Sequence, residues 1–158
     1  MVERVPMTVD GFRLLKEQLR LLKEVERPKN VRDIEEARSH GDLSENAEYH
    51  AAKERQGQLD AQIKMCEDRV GRAEVIDPTK LSGDRVVFGA TVHLEDVDND
   101  ATVVYQIVGE EEADPRQGRI SFSSPVARAL IGKRIGDTAI VVTPGGRREY
   151  EVTDVEFK

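Results

Sequence analysis

The chain has 158 residues, of which 38% are hydrophobic, 35% charged and only 4% aromatic, with no tryptophan. So much charge with so few aromatics excludes one large compact core and points to long helices with solvated faces. A formal net charge of −7 argues against tight autonomous binding to DNA or RNA, and a single cysteine, Cys66, excludes a disulfide framework or a cysteine-based zinc cluster.

Phe12, Leu15, Leu19 and Leu22 recur at helical spacing, with Leu14, Leu21 and Val25 broadening the stripe. Pro28 interrupts it, and Val31 and Ile34 resume it. This predicts a helix over 8–39, kinked near Pro28. A second seam, Ala52, Gln56, Leu59, Ile63, Cys66, Val70 and Ala73, alternates steps of four and three and describes a coiled coil. Cys66 is most simply a core residue of that seam. Between the helices lies His40-Gly41-Asp42-Leu43-Ser44. Gly41 suits a helix C-terminus and Asp42 the next N-cap. So short a connection makes the helices antiparallel. About 30 residues at ~1.5 Å each give a rod of roughly 45 Å, which should project with residues 41–46 at its tip.

The stretch Asp77-Pro78-Thr79-Lys80-Leu81-Ser82-Gly83 reads as a linker. The chain therefore divides into a hairpin, 1–78, and a globular domain, 79–158. In the latter, residues 85–88, 91–95, 102–108, 137–142 and 148–157 have strand character. Pro144-Gly145-Gly146 makes a turn, and Glu110-Glu111-Glu112 reads as a solvated acidic turn. Ser124 and Pro125 mark the N-cap and first position of a short helix through Leu130. The fold class is α+β. No apolar run approaches the ~18 residues of a membrane span, and residues 1–10 lack the features of a secretory signal. A cytoplasmic protein with no membrane partner is expected.

Asp42 and Glu45 are three residues apart at the tip. Two readings stand. They form a capping box, with Asp42 as N-cap and Glu45 at N3. Or they offer two hard oxygen ligands for part of a magnesium shell. Asn46 and Tyr49 either orient these acids or cap and pack the turn. Arg38, Lys53 and Arg55 flank the tip; they contact phosphates, or they are a solvated face with Glu35, Glu36 and Glu54 as partners. His40, His50 and His93 have no metal-ligand spacing among themselves.

The run Gly41-Asp42-Leu43-Ser44-Glu45-Asn46-Ala47-Glu48-Tyr49-His50-Ala51-Ala52-Lys53-Glu54 resembles the tip signature of the bacterial Gre transcript-cleavage factors. Other stretches agree in order along almost the whole chain: Pro6-Met7-Thr8, Arg27-Pro28, Val75-Ile76-Asp77, Phe88-Gly89-Ala90-Thr91-Val92, Ile107-Val108-Gly109, Glu112-Ala113-Asp114, residues 124–133 and Thr143-Pro144-Gly145-Gly146. The resemblance implies a coiled-coil hairpin plus an FKBP-like mixed β domain with a short helix. It implies an accessory factor rather than an enzyme, whose partners are bacterial RNA polymerase and the nascent RNA 3′ end. The hairpin would enter the secondary channel, and Asp42 and Glu45 would be donated in trans for magnesium-dependent hydrolysis of backtracked RNA. Mg²⁺ would be shared only within that complex, with none expected in the free protein. Arg38 and Lys53 match the family's RNA-contacting basic patch. Ser123, Ser124 and Pro125 match its polymerase-docking segment. The rival within the same architecture is a non-catalytic inhibitor that plugs the channel, and the retained tip acids argue against it. A prolyl isomerase on the β domain is disfavoured, because residues 79–158 hold only five aromatics: Phe88, Tyr105, Phe122, Tyr150 and Phe157.

Overall fold

The computed structural model describes residues 3–158. The chain forms two compact units, Phe12–Arg72 and Glu3–Gly11 together with Ala73–Lys158. The division expected at residue 78 thus falls at Arg72, and an N-terminal strand belongs with the β unit.

Helix runs unbroken from Val9 to Arg38 in three stretches: α1 (Val9–Leu21), a π turn (Leu22–Glu26) and α2 (Arg27–Arg38). The predicted interruption at Pro28 takes the form of this π turn. Proline donates no N–H and its ring crowds the carbonyl four residues back. Here the Arg27 N–H reaches the Leu22 carbonyl, five residues back. The wider turn also changes the phase of the seam. Leu15, Leu22, Asn30, Ile34 and Ala37 are buried, with Leu19 and Glu26 half-buried between them. Their steps are 4, 3, 4, 4, 4 and 3, one residue more than strict alternation supplies. Asn30 therefore turns inward, and Val31, expected on the seam, is 44% exposed. Leu14, Leu21 and Val25 do not broaden the stripe; all three face solvent.

Helix α3 (Ala47–Arg72) buries Leu59, Ile63 and Cys66, with Ala52, Gln56 and Val70 half-buried, as its periodicity requires. Burial pushes the Cys66 thiol up, away from the reactive thiolate. The Lys23–Glu67 and Arg27–Asp60 ion pairs, then the Asn30 amide on the Ala52 carbonyl (2.9 Å), run in opposite directions along the two helices. The hairpin is antiparallel. Burial of the apolar seam holds it, since exposed ion pairs contribute about 0–1 kcal/mol each.

In the second unit, β1 (Val5–Thr8) and β2 (Ala73–Ile76) pair in parallel, Val5 opposite Ala73 and Thr8 opposite Ile76. Ala73, expected to end the coiled-coil seam, opens this strand instead. The main sheet has β3 (Thr91–Asp96), β4 (Thr102–Val108), β5 (Arg119–Ser121), β6 (Thr138–Thr143) and β7 (Gly146–Glu156), in the order β5-β4-β3-β7-β6. Only β4 and β5 run parallel. Helix α4 (Pro125–Leu130) adds Ala127 and Leu130 to a core of Val86, Val92, Leu94, Ile107 and Val152. Residues 85–88 are not the strand their composition suggests. Arg85 makes one isolated bridge to Arg134, while Val86 is fully buried. Among the described residues no helix is long and apolar enough to cross a membrane.

The predicted solvated turn at Glu110–Glu112 is solvated only in part, because the Glu112 side chain is 3% exposed. Its carboxylate accepts the Thr8 N–H (3.0 Å), the Thr8 hydroxyl, the Gly109 N–H (3.1 Å) and an Arg119 N–H (3.2 Å). Thr8 in turn caps α1, its Oγ accepting the Gly11 N–H (3.1 Å). Gly11 permits this approach: a Cβ there would lie 2.1 Å from the Glu112 carboxyl carbon. Glu112→Ala strips four donors of their acceptor and leaves Arg119 without its carboxylate. We expect it to destabilise the second unit by about 3 kcal/mol in urea unfolding, against under ~0.5 kcal/mol for exposed Glu111→Ala.

Candidate functional site

The turn between α2 and α3 is built from side chains that close its own backbone. Ser39 ends α2, and Gly41 follows at φ +113°, a conformation that a side chain would strain. The residue that caps α3 is Asn46. Its Oδ1 accepts the Tyr49 N–H (3.1 Å) while its Nδ2 donates to the Ala37 carbonyl at the end of α2 (2.6 Å). One amide thus starts the second helix and ties it to the end of the first. Asp42 is not the N-cap and Glu45 is not at N3, so the predicted capping box does not form. Tyr49 packs edge-on against His50, ring centroids 5.6 Å apart.

Relieved of capping, both acids face solvent. Asp42 makes an Asx turn: its Oδ1 accepts both the N–H (3.0 Å) and the hydroxyl (2.8 Å) of Ser44. These donors, the hydroxyl foremost, hold the Asp42 carboxyl below the usual carboxylate range. Both bonds land on one oxygen, which leaves Oδ2 available. Among the described residues no hydrogen bond engages the Glu45 carboxylate. Asp42 and Glu45 border one shallow concavity with His40, Asn46, Ala47 and Glu48. Ser44 is the residue that sequence reasoning missed here. Its signal was present, since Asp followed two positions on by Ser is an Asx-turn pattern.

Arg38 is the last residue of α2 and Lys53 lies in the second turn of α3; both are exposed. The Lys53 ammonium bonds the Gln56 amide oxygen (2.9 Å) rather than Glu54. Among the described residues, neither Arg38 nor Lys53 is paired with a carboxylate. Arg55 approaches Glu26 at 3.8 Å. In the second unit, Ser124 caps α4, accepting the Ala127 N–H (3.2 Å), and Pro125 takes the first helical position with its ring exposed. Ser123 is fixed beside them by Ser121 (2.8 Å) and by Glu110, whose carboxylate accepts its hydroxyl (3.1 Å).

The two carboxylates thus border an open concavity and not an enclosed cavity. The model described as transcription elongation factor, N-terminal, matches residues 5–75, and that for the GreA/GreB C-terminal domain matches residues 81–157. The transcription elongation factor GreA of Anaeromyxobacter sp. (strain K) is 60% identical over 99% of this chain and 94% of its own. That of Phenylobacterium zucineum is 59% identical over 99% of both chains. The crystal structure of GreA factor homolog 1 of Thermus thermophilus aligns over 98% of this chain and 99% of its own, at 29% identity and a TM-score of 0.44. The chain belongs to the GreA/GreB family of bacterial transcription elongation factors.

Ser44→Ala removes the stronger of the two donors to Asp42 and keeps the backbone one. The Asp42 pKa should rise toward the usual aspartate value while staying on its low side, as read by carboxyl-carbon NMR titration. Because the folded-state value is the depressed one, charge on Asp42 is complete above the ordinary carboxylate range. It is lost only as pH falls through the depressed value.

Proposed function

We propose that Asp42 and Glu45 are the groups this factor donates to RNA polymerase for transcript cleavage. The protein is a transcription elongation factor. It binds RNA polymerase through the secondary channel and stimulates hydrolysis of backtracked RNA, rescuing arrested complexes. It is an accessory to the polymerase's own cleavage activity rather than an enzyme. The observation that carries the residue assignment is the pair of exposed carboxylates on one concavity, one of them oriented by Ser44 while Asn46 closes the turn.

Two carboxylates fit a share of a magnesium shell and not the whole of it, since Mg²⁺ takes about six oxygens. The ion would therefore belong to the complex, with Asp42 Oδ2 and the Glu45 carboxylate as this chain's contribution. A magnesium ion bound there supplies charge stabilisation at the phosphate and a water activated for attack. Asp42 brings a negative charge already present at neutral pH. Glu45, free of structural bonds, is placed to orient that water or accept its proton. Neither acid must break a capping interaction to act.

Arg38 and Lys53 serve as phosphate contacts for the RNA 3′ segment in this reading. Their freedom from carboxylate partners supports it, because a paired cation would have to be released first. Ser123, Ser124 and Pro125 form the docking segment: Ser124 and Ser123 spend their hydroxyls within the fold, and Pro125 presents the exposed surface.

Asp42→Asn/Glu45→Gln should reduce cleavage in a stalled elongation complex by about 10²–10⁴-fold while affinity for polymerase stays unchanged. Cleavage equal to the parent's would remove both residues from the reaction. Pro125→Glu should act the other way. It should weaken competition for polymerase roughly tenfold, with cleavage restored at saturating factor, and unchanged affinity would take Pro125 out of the interface.

A further inference from the structure

Strand β3 and strand β7 bring three potential metal ligands together on the outer face of the second unit's sheet. His93 lies opposite Asp154 in the ladder, and Glu156 follows Asp154 two residues on, on the same face. A bulge sets this arrangement: the register slips between His93 and Leu94, so Thr153 has no partner in the ladder and its hydroxyl instead bonds the His93 carbonyl (3.1 Å). One ligand atom from each of His93, Asp154 and Glu156 lies within 4.8 Å of the other two.

Two observations distinguish this from an ordinary ion pair. His93 Nε2 is shielded from solvent and has no hydrogen-bond partner, although Glu156 Oε1 is 3.3 Å away. The ring nitrogen and that carboxylate oxygen stand at ion-pair distance. Each acid, in turn, has one oxygen occupied and one to spare. Asp154 Oδ1 accepts the Val155 N–H (2.9 Å), which leaves Oδ2, and Glu156 Oε2 meets the Lys158 ammonium (3.1 Å) while Oε1 is the oxygen near the imidazole.

We propose that His93, Asp154 and Glu156 form a site for a divalent metal ion of the zinc class. One imidazole nitrogen with two carboxylate oxygens is a borderline donor set, which favours Zn²⁺, Co²⁺ or Ni²⁺ over the all-oxygen shells of Mg²⁺ and Ca²⁺. Metal–ligand distances of about 2.0–2.2 Å require the three atoms to draw together. The side chain of Asp154 is exposed and that of Glu156 partly so, and both can turn to do it. Three protein ligands leave a fourth position for water. Such an ion would cross-link β3 to β7 at the bulge and give His93 Nε2 the partner it lacks. Transcript cleavage asks for no ion here, so the site is separate from the tip chemistry.

The test is calorimetric titration of the full-length protein with Zn²⁺, in the parent, in His93→Gln, in Asp154→Asn/Glu156→Gln, and in His40→Gln/His50→Gln, which removes the imidazoles of the other unit. The proposal expects one saturable ion per chain. Affinity should be kept in the His40/His50 variant and weakened at least about tenfold in the other two. Excess Mg²⁺ should not compete. The ¹⁵N resonance of His93 Nε2 should shift on Zn²⁺ addition, a readout independent of variant stability. No saturable binding to the parent, binding by His93→Gln equal to the parent's, or loss of binding in the His40/His50 variant would each overturn it.

Discussion

The turn of the hairpin depends on the side-chain amide of Asn46. A helix start leaves backbone N–H groups without partners, and a helix end leaves carbonyls. Asn46 answers one of each, capping Tyr49 with its oxygen and Ala37 with its nitrogen. Had an acid done the capping, its charge would have been committed to the backbone. With the amide in that place, neither carboxylate is drawn into the helix cap, although Asp42 Oδ1 closes its own Asx turn on Ser44. A neutral side chain carries the cap, and the turn stays closed with both acids exposed.

What could be read in advance follows from how local each determinant is. The α3 seam was legible because its spacing repeats without interruption from Ala52 to Val70. The cap of α4 was legible because Ser124 and Pro125 act within one turn. The π turn was not: a proline signals trouble, but whether the chain bends or inserts a residue depends on what faces it across the hairpin. The inward place taken by Asn30, and the exposure of Val31, follow from that insertion. The capping error has a different cause. Asp42, Asn46 and Ser44 are all good caps by type, and only the length of the turn decides which one reaches the helix.

The β unit was less legible because its determinants are distant in sequence. Glu112 looks solvated within an acidic triplet, yet its donors come from Thr8 and Arg119 as well as its own turn. Strands β1 and β2 are four residues each and stabilise one another across most of the hairpin's sequence. Residues 85–88 have strand composition but form a single bridge, Arg85 to Arg134, flanked by the Val86 N–H on the Lys133 carbonyl (2.8 Å) and the Gly132 N–H on the Val86 carbonyl (2.8 Å). Hydrophobic alternation records which side chain is buried and not how far a ladder extends, and here the ladder stops after one bridge. At the candidate site the acids themselves were legible and the support under them, Ser44 and the Ala37 tether, was not.

The pairing of β1 with β2 has an architectural consequence. Parallel neighbours need a long crossover between them, and here the whole helical hairpin serves as that crossover. The chain leaves β1 at Thr8 and enters β2 at Ala73, which lie at opposite ends of the parallel ladder: Thr8 pairs with Ile76 and Ala73 with Val5. Residues 12–72 are spliced, in sequence, between two strands that pair with one another. Lengthening or shortening that insert in matched steps on both helices leaves the β1–β2 register as it is. Evolution, or a designer, can thus vary the helical insert and what it carries without re-pairing the strands that flank it.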